Sequence, residues 1–170
     1  MLLTMTDQTL DPAERAALVQ RYRDGADHFI STVAGITNAE LDARPFEGEW
    51  TVREIAHHLA DGELNSAVRL RRLIAEDQPL LAGYDEMEFS RRLHYGEREI
   101  GPSLAAMAAA RAATVQILDR LSETEWARTG THSEQGPYGV VAWLRDYANH
   151  PWDHADQARR VLEAARGRAG

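Results

Sequence analysis

The sequence predicts an all-α protein, a single four-helix bundle that spans residues 1–170. Four long segments repeat apolar residues at helical spacing, and no segment shows a convincing period-two strand pattern. The length of 170 residues suits one domain with its own core. Apolar residues make up 44% of the chain, which argues against disorder.

The first helix is predicted to begin at Asp11. This residue suits the N-cap position, Pro12 suits the first helical position, and Glu14 completes a capping-box pattern. Gly35 is predicted to end the helix. Its apolar stripe consists of Leu18, Tyr22, Gly25, Phe29 and Val33.

The second helix is predicted to begin at Thr51, with Glu54 as its capping-box partner. Trp50 before the cap and Ile55 after it can form a hydrophobic staple. The apolar stripe of this helix consists of Val52, Ile55, Leu59, Ser66, Leu70 and Leu73.

The third helix is predicted to open at Pro102 and the fourth near Pro137. The stripe of the third consists of Leu104, Met107, Ala108, Val115 and Leu118. The stripe of the fourth consists of Val140, Leu144, Tyr147, Ala158, Val161 and Leu162. The order of the four helices is expected to be up-down-down-up or similar.

Residues 76–100 separate the second and third helices and are predicted to contain a short helix around 86–93. This segment is too long for a simple bundle turn, and it holds Tyr84, Phe89, His94 and Tyr95. Long ordered loops often carry recognition, so we expect it to form part of a pocket wall. The alternative is that its aromatic residues pack against a second subunit.

Two adjacent histidines, His57 and His58, lie in the second helix. Neighbouring helical positions point about 100° apart, so the two imidazoles cannot share a face. On a helical wheel with Val52 at zero, the apolar stripe centres at about 330°. His58 falls at about 240° and His57 at about 140° on that wheel. His58 is therefore predicted to face the edge of the core, and His57 to face solvent.

The fourth helix carries a His-x3-His pair, His150 and His154, on the flank of its apolar stripe. Residues four apart stack on one helix face, so this pair can chelate one ion. With His58 it would form a three-histidine site with open coordination positions. Three neutral imidazoles leave the ion's charge largely intact, and that charge acidifies a bound water or thiol. The alternative is a coincidence of spacing, and Pro151 within the pair should kink the helix.

Three further polar residues are candidates for chemistry. Glu63, on the apolar stripe of the second helix, can accept a hydrogen bond from a ligand histidine or act as a base; alternatively, it pairs with a buried arginine. Arg111 can hold a carboxylate of a thiol cofactor; alternatively, it pairs with Glu63 or extends to the end of the bundle. Gln157 lies in register with His150. The histidines without metal-like spacing, expected to be surface or structural residues, are His28, His94 and His132.

Two stretches, WTVREIAHHLADGE and VVAWLRDYANHPWDHADQARR, resemble the DinB/YfiT-like superfamily of four-helix-bundle metalloproteins. That family has a tryptophan at the start of its second helix and a histidine eight residues later, as at Trp50 and His58. Its last long helix carries His-x3-His, often followed by a glutamine, as at His150, His154 and Gln157. The resemblance covers essentially the whole domain. It implies that the three histidines are the ligands of the metal.

The resemblance also implies a reaction. Members bind nickel, zinc, iron or manganese, and characterised relatives include thiol-S-transferases that use bacillithiol or mycothiol. A mycothiol-dependent maleylpyruvate isomerase branch has a glutamate where His150 stands, which disfavours that branch. We therefore expect a metal-dependent transferase that joins a low-molecular-weight thiol to an electrophile, with Glu63, Arg111 and Gln157 as candidate catalytic residues. The alternatives are a hydrolase that activates water and a non-catalytic metal-binding stress protein.

The composition argues against some classes of partner and excludes some kinds of chemistry. The net charge of −8 and the lack of a basic block disfavour nucleic-acid binding. The chain has no cysteine and no lysine, which removes disulfides, a cysteine nucleophile and a lysine Schiff base. It shows no secretory signal pattern and no apolar run long enough to span a membrane. We expect a cytoplasmic homodimer that acts on a small-molecule substrate without a membrane partner.

Overall fold

The computed structural model describes residues 10–168. In it, four long helices stand at the four corners of a square. The long helices are α1 (Pro12–Thr32), α3 (Val52–Ala75), α5 (Ile100–Leu118) and α7 (Val140–Arg168). Helices α1 and α3 each pack on α5 and α7, so that α1 and α3 lie diagonally opposite one another. The predicted four-helix bundle is confirmed.

Short elements fill the connections between the long helices. They are α2 (Asn38–Leu41), β1 (Leu80–Leu81), α4 (Glu86–Arg92), a 3-10 turn (Tyr95–Glu97), α6 (Glu123–Trp126), β2 (Thr129–His132) and β3 (Gly136–Gly139). The three strands form one small sheet, in which β1 runs parallel to β2 and β3 runs antiparallel to it. The sequence showed no convincing strand pattern at these positions. The strands are two to four residues long, too short to display a period-two pattern.

The predicted helix starts are confirmed for the first two long helices. The Asp11 side chain accepts hydrogen bonds from two backbone N–H groups in the first turn of α1. Thr51 and Glu54 form the predicted capping box at the start of α3. Gly35 follows the end of α1 with a left-handed φ of 73°, a conformation that glycine adopts without a steric penalty.

The other two long helices begin at different residues from those predicted. Helix α5 begins at Ile100, before Pro102, with Glu99 as its N-cap residue. Helix α7 begins at Val140 and not near Pro137, because Pro137 lies within β3. A proline is compatible both with a helix start and with an edge strand, so the residue type alone did not separate the two.

Two clusters of buried apolar side chains show the directions of the helices. The first cluster contains the last turns of α1 and α7 and the first turns of α3 and α5. The second contains the opposite parts of the same four helices. Helices α1 and α7 therefore run one way and α3 and α5 the other, which is the up-down-down-up order that we expected.

A buried arginine lies between the two clusters and contacts all four helices. Arg111 of α5 is 1% exposed, and its Nε donates to Glu63 Oε2 of α3 at 2.8 Å. Its Nη2 donates to the Tyr147 carbonyl of α7. Its guanidinium carbon lies 4.0 Å from the ring centroid of Tyr22 on α1. Glu63 also accepts hydrogen bonds from the hydroxyls of Tyr22 and Ser66, so both buried charges are well compensated.

Pro151 explains why the Tyr147 carbonyl is available. Proline has no N–H, so the helical hydrogen bond from position 151 to the Tyr147 carbonyl is missing. Arg111 supplies a donor in its place, and α7 continues through Pro151. Arg111, on another helix, thus supplies the hydrogen bond that Pro151 removes.

Gly25 of α1 permits the close approach of these groups. A Cβ at this position would overlap both Arg111 Nη1 and the ring of Pro151. Arg111 Nη1 has no hydrogen-bond partner among the described residues, so this nitrogen is held by packing alone. A side chain at residue 25 would therefore force Arg111, Pro151 or α1 itself to shift.

We expect Gly25→Ala to lower the free energy of unfolding by about 1–3 kcal/mol, because the added methyl group overlaps Arg111 and Pro151. Gly101→Ala is the matched control, since a Cβ there meets nothing within 4 Å. The control should change stability by less than about 1 kcal/mol. Urea unfolding followed by circular dichroism measures both variants, and equal effects would contradict the close packing at Gly25.

Candidate metal centre

Three imidazoles meet between α3 and α7. One nitrogen from each of His58, His150 and His154 lies within 4.8 Å of the others. The Nε2 atoms of His58 and His150 are 3.0 Å apart. Two nitrogens bound at right angles to one ion, each about 2.1 Å from it, would stand about 3.0 Å apart. The structure therefore brings together the three predicted ligands at a spacing that suits a shared ion.

Neighbouring side chains orient these imidazoles. Gln157 Oε1 lies 2.8 Å from His154 Nδ1, so the amide oxygen accepts the ring N–H and leaves Nε2 free to bind a metal. The Trp50 ring packs on His58 with 4.5 Å between ring centroids. Gln157, a candidate catalytic residue in the sequence, thus contacts a candidate ligand histidine, and this contact fits an orienting role.

Burial keeps the three imidazoles neutral, the form that binds metals. It lowers the pKa of His58 to about 3, and the nearby His154 contributes in the same direction. Burial also lowers the pKa of His150, as do the neighbouring histidines and Arg111. The pKa of His154 is lowered by burial, which outweighs the opposing effect of its hydrogen bond with Gln157. Three neutral nitrogen donors suit a borderline divalent ion such as zinc, nickel or iron.

The prediction that His57 faces solvent was wrong. His57 is 0% exposed. Its Nδ1 lies 2.7 Å from the Ser103 hydroxyl, its Nε2 lies 3.1 Å from the Arg98 carbonyl, and its ring packs on Tyr95. The helical wheel records the apolar stripe of one helix but not the segment that folds over its opposite face. The same wheel placed His58 correctly, since this residue is 2% exposed and faces α7.

Glu63 and Arg111 form a buried ion pair, one of the alternatives that the sequence left open. Their side chains are 3% and 2% exposed. The carboxylate accepts from Arg111, Tyr22 and Ser66, and this leaves it poorly suited to take a proton from a bound water. Burial, followed by the charge of Glu63, raises the pKa of Tyr22, which keeps this hydroxyl a donor.

A polar pocket with a volume of about 210 Å³ lies beside His150. Tyr84 and Glu86, from the segment 76–100, line it as we expected. Gly62 of α3 lies where the His150 ring meets the pocket, and a Cβ there would be 3.1 Å from His150 Cε1. The missing side chain therefore leaves a ligand histidine in the wall of the pocket.

Most of the pocket was not identified from the sequence. The further lining residues are Arg69, His132, Glu134, Gln135, Asp146 and Tyr147. They come from α3, α7 and the hairpin of β2 and β3, and no regular spacing connects them. His132 was expected to be a surface or structural residue, but it is only 3% exposed. The strand pairing that places it beside α7 could not be read from such short strands.

Comparisons with known proteins agree with this architecture. Residues 6–158 match the profile of the DinB superfamily. A protein of Oceanobacillus iheyensis named "Putative metal-dependent hydrolase" is 35% identical over 124 residues, which cover 73% of this chain and 72% of that protein. The structure of YfiT from Bacillus subtilis, a four-helix bundle of unusual topology, matches with a TM-score of 0.86 and 22% identity over 91% of this chain and 89% of YfiT. A mycothiol-dependent maleylpyruvate isomerase matches with a TM-score of 0.65 and 16% identity over 84% of this chain and 59% of the isomerase.

We expect His58→Ala to remove most of the bound metal and His57→Gln to retain it. The hydrogen bonds of His57 go to Ser103 and Arg98, and none of them goes to His150 or His154. Each protein is equilibrated with zinc, desalted and analysed by mass spectrometry for metal content. Wild type and His57→Gln should carry about one ion per chain. Equal loss from the two variants would show that the assignment of the ligands is wrong.

Zinc affinity should depend on pH less steeply than in a site of ordinary histidines. Three imidazoles with a pKa of about 6.5 would each take up a proton between about pH 7.5 and about pH 5.5, which would weaken binding about a thousandfold. The lowered pKa values of His58, His150 and His154 keep these rings neutral to lower pH, so protons compete less with the metal. We expect a loss of at most about tenfold over the same interval, measured by competition with a chelating dye. A loss near a thousandfold would contradict the neutral, preformed site.

Proposed function

Because this chain belongs to the DinB superfamily, we propose that it is a metal-dependent transferase that joins a low-molecular-weight thiol to an electrophile. The observation that supports this proposal is the set of His58, His150 and His154 beside a polar pocket. A divalent ion held by three neutral imidazoles retains its charge and lowers the pKa of a thiol that joins it. The thiol would be of the bacillithiol or mycothiol type.

The proposed reaction exchanges one bond for another. The thiol proton leaves to solvent, and the sulfur lone pair forms a bond to an electrophilic carbon. The bond between that carbon and its leaving group breaks, and the leaving group departs with the electron pair. Within this site, Gln157 holds His154 in one orientation and Trp50 covers His58, while His150 faces the pocket.

The state of Glu63 favours a thiol over water as the nucleophile. A hydrolase needs a base that takes a proton from water, and Glu63 is already committed to Arg111, Tyr22 and Ser66. A thiol has a pKa of about 8.5 in water. Free water has a pKa of about 15.7, which a bound zinc ion lowers to about 7. A thiol therefore needs a much smaller shift than water does to ionise beside the cation.

A metal-dependent hydrolase is the second candidate. The name of the relative from Oceanobacillus iheyensis favours it. The pocket also contains the carboxylates of Glu86, Glu134 and Asp146, and one of them could accept a proton from water. The name of the structurally similar isomerase, in turn, includes dependence on mycothiol, which favours the transferase. A non-catalytic metal-binding protein would turn over neither class of substrate.

Other expectations stay predictions: a cytoplasmic location, a homodimer, and no nucleic-acid partner. Among residues 10–168, no helix combines the length and the apolar character that crossing a membrane requires.

We expect the zinc- or nickel-loaded protein to accelerate the conjugation of bacillithiol or mycothiol with an alkyl halide or an aryl halide. Mass spectrometry follows loss of the thiol and appearance of the thioether. The rate should exceed that of His58→Ala by at least about tenfold, because this variant lacks one of the three proposed ligands. Ester or amide cleavage without thiol consumption would instead favour the hydrolase. Equal rates for wild type and His58→Ala would contradict a metal-dependent reaction.

A further inference from the structure

We infer that the pocket beside His150 binds a cationic amine carried by the thiol substrate, next to an oxygen atom that accepts a hydrogen bond from His132. This inference rests on the proposed function in one respect: it assigns the amine to the thiol that reaches the three histidines. The binding preference for an amine follows from the pocket residues themselves, and it can be measured separately from any reaction.

The charges that line the pocket are mainly negative. Glu86, Glu134 and Asp146 contribute carboxylates, whereas Arg69 contributes the one cation among the lining residues. The Arg69 guanidinium already donates to the Tyr147 hydroxyl at 2.8 Å and to a backbone carbonyl at 2.6 Å. Three carboxylates therefore share one arginine that is largely engaged elsewhere, which favours a ligand with positive charge.

Two of these carboxylates form no hydrogen bond or ion pair in the part of the chain that the structure describes. Neither Glu86 nor Glu134 accepts a side-chain hydrogen bond or forms an ion pair within the described residues. Burial, followed by the charge of Glu134, raises the pKa of Glu86, so the two carboxylates lie close enough to repel each other. The Glu134 carboxylate packs against Gly83, where a Cβ would overlap it. An ammonium group between Glu86 and Glu134 would relieve this repulsion.

His132 provides an independent indication of a ligand. Its ring is 3% exposed and lines the same pocket. The ring Nδ1 accepts the backbone N–H of Glu134 at 3.3 Å, so in the neutral ring Nε2 carries the hydrogen. Nε2 has no hydrogen-bond partner among residues 10–168. A buried donor without a partner is costly, and a ligand oxygen in the pocket would satisfy it.

The hairpin of β2 and β3 holds these groups in place. His132 pairs with Gly136 across the hairpin, and Glu134 lies in the three-residue loop between them. Gly136, the first residue after this loop, adopts a left-handed φ of 79°, a conformation that glycine adopts without a steric penalty. The side chains of His132 and Glu134 therefore come from a short, tightly closed turn and do not depend on a long flexible loop.

The spacing of the carboxylates argues against a second metal ion. Among the described residues, the group close enough to share a metal is His58, His150 and His154. The three pocket carboxylates do not form such a group among the described residues, and an organic ammonium does not require them to converge on one point. An ammonium donates hydrogen bonds in several directions, so separate carboxylates can each accept one.

The test compares ligands that differ in one group. Ethanolamine and ethylene glycol have the same length and both carry an oxygen, but only ethanolamine carries an ammonium. Ligand-observed NMR titrations use the zinc-loaded full chain and the variants Glu86→Gln and Glu134→Gln. Glu88→Gln is the matched control, because Glu88 lies on the same helix, α4, but pairs with Arg91 and Arg92 outside the pocket.

Ethanolamine should bind the wild type and Glu88→Gln at least about tenfold more tightly than ethylene glycol, and this ratio should fall toward one in Glu86→Gln and Glu134→Gln. His132→Phe should weaken both ligands, since both carry the oxygen that Nε2 would contact. Equal binding of the two ligands to the wild type would overturn the inference, as would a preference that both pocket variants retain.

A second titration separates this inference from the proposed function. Cysteamine and mercaptoethanol are added to the cobalt-loaded protein, and a sulfur-to-cobalt charge-transfer band reports binding of the thiol. If ethanolamine binds as expected but neither thiol produces the band, the amine pocket stands and the thiol transferase fails. If both thiols produce the band with the same relative affinity in wild type, Glu86→Gln and Glu134→Gln, the thiol function stands and the amine pocket fails.

Discussion

The guanidinium of Arg111 connects the four helices at the same level along the bundle axis as the candidate metal site. It contacts Glu63 of α3, Tyr147 of α7 and Tyr22 of α1 from its own position on α5. Glu63 follows His58 by roughly one and a half turns, and Tyr147 precedes His150 by roughly one turn. The contacts of Arg111 therefore restrain how far α3 can slide along α7, and this sliding determines whether the histidines of the two helices meet.

Such an arrangement is costly unless each charge is compensated, because both partners are buried. Here the compensation is nearly complete. Glu63 accepts from three donors, while Arg111 uses the carbonyl that Pro151 leaves free and the face of the Tyr22 ring. The candidate site and the fold thus share residues that do not belong to the three histidines. The three imidazoles are positioned by the protein itself, and burial keeps them in the neutral form that ligates.

Helical periodicity explains how much could be predicted from the sequence. It identified the four long helices and placed His58, His150 and His154 on inward faces, because these residues follow the apolar stripe of their own helix. It failed for His57, which is covered by the segment before α5. It could not find the pocket residues of the short sheet, such as His132 and Glu134, because their position depends on pairing between distant segments. The ion pair of Glu63 and Arg111 remained one of several alternatives, since periodicity gives the face of a residue but not its partner across the bundle.

The central claim is that the buried contacts of Arg111 hold the bundle together at the candidate metal site, independently of any ion. Its most direct test is the free energy of unfolding of Arg111→Met and wild type, measured in urea with a chelator present. Methionine preserves much of the side-chain volume but leaves the Glu63 carboxylate and the Tyr147 carbonyl without their donor. The account predicts cooperative unfolding of the metal-free wild type and a loss of about 3–5 kcal/mol in the variant. A loss below about 1 kcal/mol, or a metal-free wild type that does not fold, would contradict it.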